Sequence, residues 1–144
     1  MIRDEIHRDI FVPAHIARLI DTREFQRLLN IQQLATCHYV FPAATHNRFS
    51  HSLGAYHLAK TLCDHLNEVQ PGIISDEDTD LVSIAALLHD IGHPPFSHLL
   101  ETDKVFANFH SHEDWGKMML ESEETEIGAA IREVLGQKLS LIHI

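Results

Sequence analysis

Apolar side chains recur along this chain at three- and four-residue steps, separated by short polar stretches rich in Gly, Pro, Asp and Ser. That pattern predicts amphipathic helices joined by tight connectors. Residues 21–34, DTREFQRLLNIQQL, set Phe25, Leu28, Leu29 and Gln32 at helical spacing. Asp21 and Glu24 stand ahead of them as a pair resembling a capping box, so a helix is predicted to start there. Residues 37–49, CHYVFPAATHNRF, hold β-branched and aromatic side chains around Pro42 with no helical period. They predict an extended connector, with Asn47 capping the next helix. From Asn47 to about Leu66, His51, Ala55, Leu58 and Leu62 draw one stripe, predicted to face the core and to carry His51 inward.

The polar turn VQPGIISDEDTD (69–80) separates that helix from its successor, and Ser75 with Asp78 repeats the cap signature. Leu81, Ala85 and Leu88, with Ile84 beside them, form the expected core stripe of the second long helix. Gly92, Pro94 and Pro95 stop it, which leaves His89 and Asp90 in its last turn. A mixed connector, ETDKVFANFHSH (101–112), leads to helices expected over 113–123 and 125–135, the latter with Ile127, Ile131 and Val134 inward. No repeat or low-complexity tract divides the chain, so one all-α domain is the economical picture.

Composition narrows what such a domain can do. With 144 residues, 44% of them hydrophobic, the chain can bury a real core. Against 11 basic residues stand 21 acidic ones, a net charge of −10, which argues against a broad nucleic-acid or anionic-membrane footprint. The longest unbroken apolar run, Ile84 to Leu88, is far short of a membrane span. Cys37 and Cys63 are isolated thiols that suggest neither a zinc ribbon nor a disulfide framework, and a cytoplasmic setting is expected. The 13 histidines outnumber Lys and Arg together. Imidazole is both a common metal ligand and a common acid–base group near neutrality.

Chemistry concentrates in LLHDIGHPPFSH, residues 87–98. A His beside an Asp at the end of an apolar segment is costly unless each group finds a partner. A divalent metal would be such a partner, since it takes neutral imidazole and ionised carboxylate, and His51 on the other helix is a third donor of the right kind. The competing reading is local: an Asp near a helix end can bond its own turn, and a lone inward His is more often a satisfied core residue than a ligand. The density of titratable groups within ten residues favours the functional reading.

HNRFSHSLG (46–54) followed by LLHDIGHPPFSH (87–98) resembles the HD-domain metal-dependent phosphohydrolases, in the deoxynucleoside triphosphate triphosphohydrolase branch. IDTREFQRLLNIQQL (20–34), HYVFPAATHNRF (38–49) and HSHEDW (110–115) resemble further elements of that branch, so the likeness spans most of residues 4–115. It implies an HD-type helical bundle over residues 1–136, in which His51, His89 and Asp90 are metal ligands. It implies that His93, His98 and His112 face the scissile phosphate, one of them as general acid or attacking group. Arg48 would bind a substrate phosphate. Gln33 and Leu34 match positions touching sugar and base, although helix-end packing competes as their explanation. The implied reaction releases a nucleoside and intact triphosphate from a deoxynucleoside triphosphate. The divalent ion is left open among iron, manganese, nickel, zinc and magnesium.

The chain departs from the family pattern in places. The family's fourth ligand, a downstream Asp, has no counterpart here. The tail KLSLIHI leaves the helical pattern, so residues 137–144 are expected to be non-native or frayed and the bundle incomplete. Glu101 stands where the branch often has Asp, Arg8 where it has Gly, and Leu29 where nucleotide-activated members have a basic residue. Two other functions stay open: an HD phosphohydrolase for another nucleotide or phosphomonoester, and a metal- or nucleotide-binding fragment without turnover. Family members often assemble as homo-oligomers, but no interface can be read from these residues.

Overall fold

A computed structural model describes residues 1–96 and 110–136. His98, Glu101 and the 137–144 tail, which carried expectations, lie outside the described residues. The chain opens with a hairpin, β1 (Ile2–Asp4) against β2 (Arg8–Ile10), paired Ile2 to Ile10 and Asp4 to Arg8. The Asp4 carboxylate builds its turn by accepting from the Ile6 and His7 amides at 2.9 and 2.8 Å. Arg8 sits at φ 63°, a left-handed conformation that Gly adopts without steric cost. Each strand has only three residues, too few for a period-2 signal, so the hairpin escapes the sequence pattern.

Helices α1 (Ala14–Ile20) and α2 (Arg23–Gln26) come after it, then a 3-10 turn, Arg27–Asn30. This corrects the helix expected across 21–34. Asp21 closes α1 instead of capping α2, whose N-cap is Thr22. Glu24 is engaged elsewhere: its Oε2 accepts from the Ile127 amide at 3.1 Å, while the Arg23 amide donates to Glu126 Oε2 at 2.8 Å. Each helix start is thus capped by a carboxylate from the other, an arrangement invisible to a local rule. Phe25 and Leu28 are buried as the spacing predicts, but the 3-10 turn leaves Leu29 45% exposed. In the adjoining segment Cys37–Tyr39 form a 3-10 turn within the expected extended connector, and Gln32 bridges to Asn47.

Helix α3 (Arg48–Val69) begins where expected, with the Asn47 side chain accepting from the Ser50 amide. Its inward face does not match the expectation. Arg48, Ser52, Leu53, Gly54, Tyr56 and Cys63 are buried, whereas Leu58 and Leu62 are 57% and 58% exposed. The packed stripe lies about 100° round the axis from the predicted one. That face mixes Arg48 and Ser52 with Tyr56 and Cys63, a set that a count of apolar residues ranks below the leucine stripe. The neighbour of α3 is α4 (Asp76–Leu88), capped by Ser75 accepting from the Asp78 amide. It buries Ile84, Leu87 and Leu88, with Leu81 and Ala85 at the margin.

Helices α5 (His112–Glu121) and α6 (Glu126–Leu135) complete the described chain. Ser111 and Asp114 form a reciprocal capping box on α5, and Thr125 caps α6. Ile127 and Ile131 of α6 are fully buried and join Ile16, Leu19, Phe25 and Leu87 in one core, with Val134 half-buried against it. The domain is therefore all-α apart from the hairpin. No helix among the described residues is long and apolar enough to cross a membrane.

Gly92 sits where the turn after α4 presses on α5: a Cβ there would stand 1.9 Å from the His112 carbonyl oxygen and 2.3 Å from the Gly116 amide nitrogen. A Cβ on Gly116 would meet nothing nearer than 3.6 Å. Gly92→Ala should therefore destabilise by roughly 3 kcal/mol, since backbone must move. Gly116→Ala should be neutral or up to about 1 kcal/mol stabilising, through helix propensity. Urea midpoints of the two variants beside wild type test the contrast.

Candidate metal centre

Two helix termini build the site. Asn47 starts α3 so that Arg48 and His51, three residues apart, lie on adjacent ridges of its first turn. The α4 helix ends at Leu88, with His89 as C-cap and Asp90 just beyond. The Nδ1 of His89 lies 2.8 Å from the Ala86 carbonyl oxygen, an acceptor that requires Nδ1–H. That bond leaves the Nε2 lone pair facing the groove between the helices. There it stands 3.2 Å from His51 Nε2 and 3.2 Å from Asp90 Oδ1, while His51 Nε2 is 3.6 Å from Asp90 Oδ2.

Asp90 is the centre of the cluster. Its side chain is 7% exposed and Arg48 donates to Oδ2 at 2.5 Å from a side chain only 2% exposed. His93 Nε2 lies 3.3 Å from Oδ1. Burial alone would raise the Asp90 pKa; the hydrogen bond from His93 and the charges around it, Arg48 among them, outweigh that and hold the carboxyl well below the usual carboxylate range. Burial has the opposite consequence for the imidazoles, lowering His51 and His93 and favouring their neutral forms, with Asp90 partly opposing. His112, the first residue of α5, stacks on His93 with ring centroids 3.8 Å apart and planes at 11°.

Of the residues singled out in the sequence, His51, His89, Asp90, His93, Arg48 and His112 come together. Gln33 is linked to the site through backbone: its amide donates to the His46 carbonyl at 3.0 Å, and the Arg48 amide donates to that of Ile31 at 2.8 Å. The buried Oε1 of Gln33 has no hydrogen-bond partner among the described residues. Leu34 is 45% exposed and contributes no polar group to the cluster. Sequence pattern passed over Arg27, whose guanidinium donates to the Ile91 carbonyl and, at 2.8 Å, to that of His93. A charged residue inside an amphipathic run gives no sign that it bridges 64 residues.

Donor chemistry suits a divalent ion. His51, His89 and Asp90 each offer a ligand atom, all within 4.8 Å of one another, and together they supply two imidazole nitrogens and one carboxylate oxygen. His51 and His89 remain 42% and 39% exposed, so the donors open toward solvent on one side.

The lowered histidine pKa values fix the sign of a pH effect in metal-free protein. The unfolded imidazoles take protons near pH 6.5, while folded His51 and His93 do so only at lower pH. Between those values the unfolded chain binds more protons, so stability present above about pH 6.5 is lost as pH falls. The urea midpoint should drop from pH 7 to pH 5, and drop less in His93→Gln. A midpoint unchanged or higher at pH 5 would contradict this assignment.

Comparison with known proteins shows the family. The HD domain family model matches residues 48–141. The human deoxynucleoside triphosphate triphosphohydrolase SAMHD1 is 50% identical over 102 residues, covering 70% of this chain and 16% of that protein. Its Dictyostelium discoideum homolog is 43% identical over 125 residues, 83% of this chain and 24% of that protein. An uncharacterized protein of Methanocaldococcus jannaschii is 43% identical over 117 residues, 81% of this chain and 23% of the relative. The chain thus spans a quarter or less of the length of these relatives. With the family's region beginning at Arg48 and taking in His51, His89 and Asp90, this chain belongs to the HD-domain family.

Proposed function

We propose that this chain is the catalytic portion of a metal-dependent phosphohydrolase acting on deoxynucleoside triphosphates and releasing nucleoside and triphosphate. The observation that carries the reading is the convergence of His51, His89 and Asp90 from two helices, with ligand atoms within 4.8 Å of one another. The substrate class draws its support from two relatives named as deoxynucleoside triphosphate triphosphohydrolases.

A divalent ion held by His51, His89 and Asp90 would supply Lewis acidity toward a phosphoryl oxygen. The protein's own groups do the rest. Arg48, expected from the family likeness to bind a substrate phosphate, is instead 2% exposed and paired with Asp90, so its permanent charge joins the His93 hydrogen bond in keeping that carboxylate ionised. His93 has its Nε2 against Asp90, so the proton there orients the carboxylate. His112, stacked on His93 and half-buried at the start of α5, or His98 beyond the described residues, then holds the proton for the leaving oxygen. Gln33, whose buried Oε1 has no donor among the described residues, and Leu34 are the side chains assigned to sugar and base.

Metal analysis of protein purified without chelator, beside product analysis by 31P NMR, tests the reading. Outer-shell partners alone are worth roughly 10–100-fold in metal affinity or activity, so His89→Ala should cost more than about 100-fold in hydrolysis together with its metal. Release of orthophosphate alone would reject the triphosphohydrolase assignment. Metal uptake without hydrolysis would favour a binding module.

A further inference from the structure

Asp90 lies past the last residue of α4, where the helical hydrogen-bond ladder no longer fixes the backbone. Two local bonds hold the amides of the turn: Ile91 N donates to Leu88 O at 3.0 Å and His93 N to Asp90 O at 3.1 Å. The carbonyls of Ile91 and His93 are taken by one distant side chain. Arg27, in the 3-10 turn after α2, donates from Nη1 to His93 O at 2.8 Å and from Nη2 to Ile91 O, with Met119 Sδ of α5 4.0 Å from Nη2.

Placing a guanidinium here has a cost. Burial lowers its pKa, partly offset by Glu24, and its buried Nε has no partner among the described residues. A cation without a use at such a place would be matched or bettered by an apolar side chain. What the guanidinium does that an apolar residue cannot is fix two carbonyls at a set distance and angle, because its donors form a rigid planar fork. The residue between those carbonyls is Gly92, which the backbone of His112 and Gly116 approaches too closely to admit a Cβ. The turn is held at its carbonyls by Arg27 and at Gly92 by the backbone of α5. Slack in that grip would move the Asp90 carboxylate relative to His51 and His89, and the His93 ring relative to His112.

We propose that Arg27 is a positioning residue for the metal centre, clamping the Ile91 and His93 carbonyls so that Asp90 and His93 are held in register with His51, His89 and His112. The proposal rests on the reading of His51, His89 and Asp90 as metal ligands.

Cobalt(II) titration of the full chain, monitored by visible absorption, tests it alongside amide hydrogen exchange. Lys can reach one of the two carbonyls but cannot hold both at a fixed angle. Arg27→Lys should remain folded and bind one cobalt per chain about tenfold or more weakly, with an altered band shape. Exchange at Gly92 and His93 should quicken while Ile131 in α6 is unchanged. Millimolar guanidinium should restore part of the cobalt affinity of Arg27→Ala. Native affinity and band shape in Arg27→Lys would overturn the proposal. So would exchange rising equally at Ile131, or loss of helical circular dichroism in both variants, since either marks a general folding role. Wild type that binds cobalt no better than His89→Ala would sink the metal reading itself, an outcome distinct from a clamp that proves idle.

Discussion

A carboxylate buried at the end of an apolar helix is the constraint around which this domain is arranged. Asp90 cannot remain ionised there alone, and a neutral Asp would have no use for the company it keeps. Arg48 meets it at 2.5 Å and His93 at 3.3 Å, with the His51 and His89 rings on the open side. For these contacts to coexist, the first turn of α3 must lie against the last turn of α4. On α3 itself, Gly54 serves a different neighbour, since a Cβ there would stand 3.1 Å from His7 Nε2 of the hairpin.

Each neighbouring element supports this meeting of helix ends. Asn47 sets where α3 starts, and the bridge from Gln32 to Asn47 ties that start to the segment behind it. Gly92 lets the turn after Asp90 lie on α5, which brings His112 over His93. The hydrophobic core of Ile10, Leu19, Phe25, Leu87, Ile127 and Ile131 supplies most of the cohesion, but it is indifferent to the register of the titratable groups. Caps, close backbone contacts and the buried ion pair set that register.

Legibility in the sequence tracked the range of each interaction. The starts of α3 and α4 were readable because Asn47 and Ser75 bond amides three residues away. Ile127 and Ile131 were readable because burial in an amphipathic helix is periodic. The inward face of α3 was not, since the leucines at 58 and 62 make the more apolar stripe while Arg48, Ser52 and Tyr56 make the packed one. Glu24 has the spacing of a local cap, but its partner amide lies 103 residues on. His51, His89 and Asp90 were legible through their joint spacing and family likeness. Arg27 was not, because its acceptors are backbone carbonyls that carry no residue identity.

The exchange of carboxylates between α2 and α6 has a consequence for how the chain comes to order. Arg23 and Glu24 find their partners in Glu126 and Ile127, each 103 residues away. At synthesis rates of roughly 5–20 residues per second, those partners leave the ribosome on the order of ten seconds later. During that interval the starting segment lacks the other half of its own fastening, and α2 lacks a helix it packs against. Until α6 has been made, the amide of Arg23 and the carboxylate of Glu24 lack these two partners, so this fastening is a late, long-range step in the ordering of the chain.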